Sequence, residues 1–388
     1  MLALRLARGA HPLIVLRRLL VAAASAGVGF LLLSALTHAL AHPDDPSASL
    51  LRLSWCLVPL AAAVHFAVAV ARTDPSTRPR RGLSAAGLGP GQLAALAASG
   101  TAVSAALGSM LALLVFLHLR GDLTGLPFDG AAAELLAADE SLPLAAALTL
   151  LTIVPLAATV TVALALRSRI RTTAADDAPP EEPPVPTAPP GGLPWGCALT
   201  AAGLAIGTYA ARAQSGEGLR LSGDLGANPA GVLTGWALTA VGLAVAGPAL
   251  THFCGRLVQM VRPSALRLLA GRVLMEEARR IGRPLGVLCA VAAAVLAGWM
   301  LSGSGARPFG PLTGLGTTLV IACSTATLLV STSEARALRT TTREELRRLG
   351  TPANTLRAAT ALRVLALLAV FAPLTWAVAT LAVAPLRG

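Results

Sequence analysis

The sequence predicts an all-α polytopic membrane protein of about nine transmembrane helices, in two related units with a helix hairpin inserted between them. Three observations lead there. Apolar residues make up 55% of the 388 and charged residues 13%, and the apolar ones gather in repeated runs of about 20, the length a helix needs to cross a bilayer. The loops between these runs alternate between arginine-rich and arginine-poor. Two separated motifs then recur at almost one offset, which marks an internal repeat.

Residues 1–18 interleave Arg5, Arg8, Arg17 and Arg18 with Leu2, Leu4, Leu6, Leu13, Ile14 and Leu16. That mixture reads as an amphipathic helix on the membrane surface. The first span is expected at Leu19–Leu40 and the second at Leu53–Ala71, joined by a short loop holding Asp44 and Asp45. The third is expected at Ala98–Leu117 and the fourth at Leu144–Leu166, with an acidic loop between them. Together these form a first unit, residues 1–171. Residues 172–193 are proline-rich, cannot bury anything, and read as an extended cytoplasmic linker. Residues 194–262 hold a two-span hairpin at Trp195–Ala213 and Val232–Phe253 with its connector. Trp195 and Trp236 fit either interfacial anchoring or ordinary packing. The second unit, 263–388, begins with an amphipathic stretch at Ser264–Arg283. Spans follow at Pro284–Leu301, Gly314–Ser331 and Val364–Ala384, one fewer than in the first unit, and the eighth is expected to run on into a charged helix.

Orientation follows from the arginines. With the N-terminus in the cytoplasm, 25 of the 31 fall on cytoplasmic segments; the six exceptions are Arg52, Arg120, Arg212, Arg220, Arg307 and Arg387. The opposite orientation inverts that bias, against the positive-inside rule. The same distribution explains the net charge of +12 better by membrane topology than by nucleic-acid binding.

All 31 basic side chains are arginine. Without a lysine there is no Walker A motif and no Schiff-base chemistry, so the chain is not expected to be an enzyme, and any ATP must be hydrolysed by a partner. The five cysteines have no metal-ligand spacing and read as small buried hydrophobes. His65 is an ionisable group inside a span, to be weighed as a functional residue or as a neutral imidazole bonded to a neighbouring helix. Arg363, near the cytoplasmic end of the last span, fits snorkelling, or a salt-bridge or gating role.

The most informative stretch is Arg343-Glu344-Glu345-Leu346-Arg347-Arg348-Leu349-Gly350-Thr351-Pro352. It reads as a charged helix, a glycine stop, a threonine cap and a proline that starts the next helix. Arg80, Leu83, Gly87 and Leu93 stand 263 residues before Arg343, Leu346, Gly350 and Leu356. Leu4-Arg5-Leu6, Gly9 and Arg17-Arg18 likewise precede Leu266-Arg267-Leu268, Gly271 and Arg279-Arg280 by 262.

On these residues the chain resembles the FtsX-like permease family, the membrane subunits of mechanotransmitting ABC systems. The charged stretch 343–352 looks like that family's helix and elbow, and Arg80, Arg81 and Gly87 like its eroded duplicate. The resemblance implies a plasma-membrane permease subunit that docks its elbows on a separate cytoplasmic ABC ATPase, in two copies, with ATP and magnesium held there. A second permease copy is a further implied partner. It implies coupling of ATP hydrolysis to export, extraction or signalling at the outer membrane face. The short loop at 41–50 departs from relatives that carry a large domain there. A non-transporting scaffold or regulator derived from such a permease is the alternative.

Overall fold

The structure is a computed structural model. It describes residues 12–73, 90–123, 130–176, 190–212, 229–260, 264–302 and 310–337, together with 339, 340, 344, 348 and 352–387. Every regular element among them is an α-helix. In order these are α1 (Pro12–Ala41), α2 (Pro46–Thr73), α3 (Pro90–Arg120), α4 (Leu144–Asp176) and α5 (Leu193–Arg212). They continue with α6 (Pro229–Met260), α7 (Ala265–Ser302), α8 (Pro311–Ala337) and α9 (Ala353–Arg387). Eight are long and apolar enough to cross a membrane, α5 being the exception, so the chain is a multi-pass membrane protein. Many large hydrophobic side chains are exposed, as lipid-facing helices require: Leu107, Met110, Leu156, Leu164, Leu365 and Leu368 among them.

The chain divides into two compact units, Met1–Pro183 with Pro311–Cys323, and Pro184–Gly310 with Ser324–Gly388. In the first unit α1 and α2 run antiparallel: Arg17 donates to the Thr73 hydroxyl at 3.1 Å, and Cys56 approaches the Leu31 carbonyl at 3.7 Å. α1 and α3 run parallel. Ser25 Oγ donates to the Ala105 carbonyl at 2.8 Å and lies 3.4 Å from Ser109 Oγ, while a methyl group on Gly29 would stand 2.9 Å from Ala112 Cβ. Ser109 in turn donates to the Leu151 carbonyl of α4 at 3.2 Å. Small residues let these backbones close in, and their hydroxyls find partners that hydrocarbon cannot offer. Leu33, Phe116, Leu136 and Leu151 fill the core beside them. The opening turns of α8 pack here too, with Leu319 against Gly27 and Trp55 against Gly316.

The ends of these helices are fixed by short-range chemistry. Asp45 caps α2, accepting from the Ser47 hydroxyl at 2.7 Å and the Ala48 amide at 3.1 Å; these bonds hold its carboxyl below the usual carboxylate range. The cap is therefore intact above the ordinary carboxylate range and weakens only as pH falls through the depressed value. At the end of α3 the Arg120 guanidinium, almost fully buried, donates to the Ala138 and Glu140 carbonyls and lies 3.4 Å from the Asp122 carboxylate. It pins the acidic segment 130–140 over the unit, with Leu136 buried beneath.

The second unit is held by glycine. α5 and α6 run antiparallel, with Gly196 against Ala246, Thr200 against Gly242, and Gly203 against Thr239 and Gly235; a methyl group on Gly203 would lie 2.6 Å from the Gly235 carbonyl. α6 and α7 repeat the device, with Gly247 on Gly282, Leu243 on Gly286 and Gly255 on Gly271. α7 and α9 run parallel, as α1 and α3 do, with Cys289 Sγ 3.0 Å from Thr375 Oγ1. Leu243, Leu274, Cys289, Phe371 and Val378 form the core between them.

Two expectations change here. The amphipathic stretch from 264 and the span from 284 are one continuous helix, α7, that does not break at Pro284. Gly282 and Gly286 on either side of that proline are packed against the α6 backbone, which holds the helix together where one backbone hydrogen bond is missing. Conversely, α8 does not run on into the charged stretch. It stops at Ala337 and Arg339 lies in a turn, its amide donating to the Arg336 carbonyl at 3.2 Å.

Candidate functional site

The charged stretch after α8 presents polar side chains at the surface of the chain. Glu344 and Arg348 are helical and exposed, and Pro352 is exposed just ahead of α9. Pro352 is not inside the helix: its carbonyl accepts the Thr355 amide at 3.1 Å and the Thr355 hydroxyl at 2.7 Å, which starts α9 one residue later. Arg343, Glu345, Arg347, Leu349, Gly350 and Thr351 lie outside the described residues, as do Arg80, Arg81 and Gly87 of the first elbow.

What anchors this stretch is a charge cluster in the second unit. Glu277, on the N-terminal half of α7, is only 12% exposed. Its carboxylate meets Arg339 Nη1 at 3.1 Å and Arg363 Nη1 at 3.7 Å, and both arginine side chains are themselves under a fifth exposed. Arg339 Nη2 also donates to the Val273 carbonyl at 3.1 Å and lies 3.6 Å from the exposed Glu276 carboxylate. Arg363 Nε donates to the Ala359 carbonyl at 3.2 Å and Nη2 to the Thr360 hydroxyl at 3.1 Å. The arginines stand on opposite flanks of the charged stretch, one before it and one after it. Glu277 therefore ties both flanks to α7.

The helices explain why these groups meet. Glu277 and Ala278 face inward on α7 while Glu276, Arg279 and Arg280 face outward. α9 runs parallel to α7, so Arg363 comes level with Glu277 just as Thr375 comes level with Cys289. The turn that ends α8 brings Arg339 to the same place. Of the two sequence readings of Arg363, the ion pair is the one seen. His65 lies on the exposed face of α2, Trp195 is largely exposed, and Trp236 packs into the core of the second unit. Glu276, Glu277 and Arg339 were not singled out from sequence. The signal was there: an adjacent acidic pair in an amphipathic stretch whose other charges are all arginine.

The cluster can be tested on its own. Removing one member of a poorly solvated ion pair costs about 3–5 kcal/mol, and the residual exposure here lowers that to roughly 2–3. Glu277→Gln is expected to lower the unfolding midpoint in detergent by roughly 5 °C. Arg339→Gln should act through the same bond, so the double variant should lose clearly less than the sum of the two single losses. Additive losses would mean that Glu277 and Arg339 are not coupled.

Comparison of the chain with protein-family models, with curated proteins and with solved structures gives no match.

Proposed function

We propose that this protein is the permease subunit of an ABC-type system of the FtsX-like kind, placed in the plasma membrane with its N-terminus in the cytoplasm. Its charged stretch at 343–352 docks on a separate ATPase, which binds ATP and magnesium. Hydrolysis there is coupled to export, extraction or signalling at the outer face. The observation that carries this reading is the mounting of the stretch: exposed charge at Glu344 and Arg348, with both flanks tied to α7 by Glu277. A surface that only meets solvent needs no such anchoring.

α7 then serves as the transmitting rod. It is one helix of 38 residues, about 57 Å long, and the cluster grips it about a third of the way along from Ala265. The glycine contacts with α6 and the parallel packing with α9 keep it from yielding sideways. A displacement of the docked stretch therefore moves the far end of α7, around Trp299 and Met300. The matching parallel packing of α1 on α3 supports a view of the chain as two related units, with α5 and α6 the additional hairpin. In that view α5 crosses the membrane as a ninth span because it lies along α6 and hides its small polar residues there.

The test is purification of the full chain from its own membrane. An ATP-hydrolysing subunit should come with it, and a chain that purifies alone would favour the scaffold reading. Orientation has its own test in a cysteine-free background. Cysteines placed at Ser49, Gly130 and Gly303 should react with impermeant thiol reagents added to intact cells, while Thr173→Cys and Thr341→Cys should stay silent. Labelling at 341 from outside would remove the ATPase from the picture.

A further inference from the structure

The same α7 cluster leaves an unbalanced surface on its other side. Arg272, Arg279 and Arg283 are exposed and share one helical face, at steps of seven and four residues, and Arg280 stands next to them. None of the four has an ion-pair or hydrogen-bond partner among the described residues. Two acids lie in this segment, and neither balances the row. Glu277 is turned inward onto Arg339 and Arg363, and Glu276, which shares the arginine face, lies 3.6 Å from Arg339. The row spans ~17 Å along the axis. It ends at Arg283, directly before the apolar run 284–301, and Leu268 is exposed on the same face one turn before Arg272.

We propose that this face binds the phosphate groups of anionic phospholipids. The geometry fits a lipid surface in two respects. Guanidinium groups are matched to phosphate oxyanions, and the row ends at Arg283, where the apolar run of the same helix begins. The exposed Leu268 adds an apolar contact to the same face, as interfacial helices do. Arg339 and Arg363 hold Glu277 on the other side, so the face carries four arginines against one exposed acid, Glu276, and stays net positive. The inference does not depend on the permease reading, since it needs only a membrane and this helix.

The experiment is thermal unfolding of the delipidated full chain in neutral detergent, titrated with dioleoyl phosphatidylglycerol or dioleoyl phosphatidylcholine. Phosphatidylglycerol should raise the midpoint saturably and phosphatidylcholine should not. Changing Arg272, Arg279 and Arg283 together to glutamine should weaken the apparent affinity on the order of a hundredfold. The same three positions changed to lysine keep the charge and should retain most of it, which also shows that the site can be altered without unfolding. Neutralising three exposed arginines elsewhere, Arg52, Arg167 and Arg256, is the control and should change affinity less than fivefold. Equal losses in the two glutamine triples, or no phosphatidylglycerol effect on the unaltered chain, would overturn the proposal. So would an equal stabilisation by inorganic phosphate or ATP, which would mark a soluble phosphate ligand instead.

Discussion

Gly286→Leu is expected to leave no monodisperse protein after solubilisation, although leucine is a far better helix former than glycine. Gly286 sits against the backbone of α6, where a methyl group would run into the Leu243 carbonyl and come within 2.9 Å of Ala244 Cα. Backbone cannot step aside as the end of a flexible side chain can. The two helices must separate, and with them go the paired contacts at Gly247–Gly282 and Gly255–Gly271. In lipid there is little hydrophobic drive to restore the pair, because acyl chains solvate the separated faces about as well as the helices solvate each other. Gly286→Ala is the graded form. Its overpacking, about 1–3 kcal/mol, should outweigh a helix-propensity gain of roughly 1 kcal/mol. Gly314→Ala in α8 meets nothing within 4 Å and should be neutral or slightly stabilising. A Gly286→Ala chain as stable as the Gly314→Ala chain would refute the close approach.

These glycines show where sequence reading stops. The 37 glycines of the chain are visible, but nothing in their spacing says which helix faces each one. Gly247 and Gly282 acquire a role only when α6 and α7 fold back on each other. Helix existence was far more legible, because a run of about 20 apolar residues has one stable state in a bilayer. Helix ends were less so. Pro284 looked like a boundary, yet α7 continues through it, since flanking contacts outweigh one lost backbone bond. The candidate site rests on a sequence signal, and the structure adds its surroundings. Charge density pointed to 343–352, and Glu344 and Arg348 are exposed there. Its anchor was not legible, because Glu277 meets Arg339 and Arg363 across intervals of 62 and 86 residues that only the parallel packing of α7 and α9 and the turn after α8 define.

On the proposed permease reading, Arg347→Ala with Arg348→Ala is expected to release the ATPase while leaving the chain folded and inserted. Alanine keeps a helix, so the backbone of the stretch should survive. Two charges disappear, and each can contribute about 1–3 kcal/mol if it pairs with an acidic group in a desolvated interface. Together that is on the order of a thirtyfold to ten-thousandfold loss of affinity, enough to empty a complex during purification. The first elbow offers only Arg80 and Arg81 near its helix, with Gly82 and Gly87 loosening it, against Arg343, Glu344, Glu345, Arg347, Arg348 and Arg357 in the second. Arg80→Ala with Arg81→Ala should therefore lose much less. Glu277→Gln separates docking from mounting. It leaves every charge of 343–348 in place and frees the flanks, so the ATPase should still bind while its coupling to the membrane helices falls. Equal loss of the ATPase from both arginine pairs would sink the asymmetry between the elbows. Retention by both would remove the stretch as the docking site, even if the Glu277 cluster behaved as described.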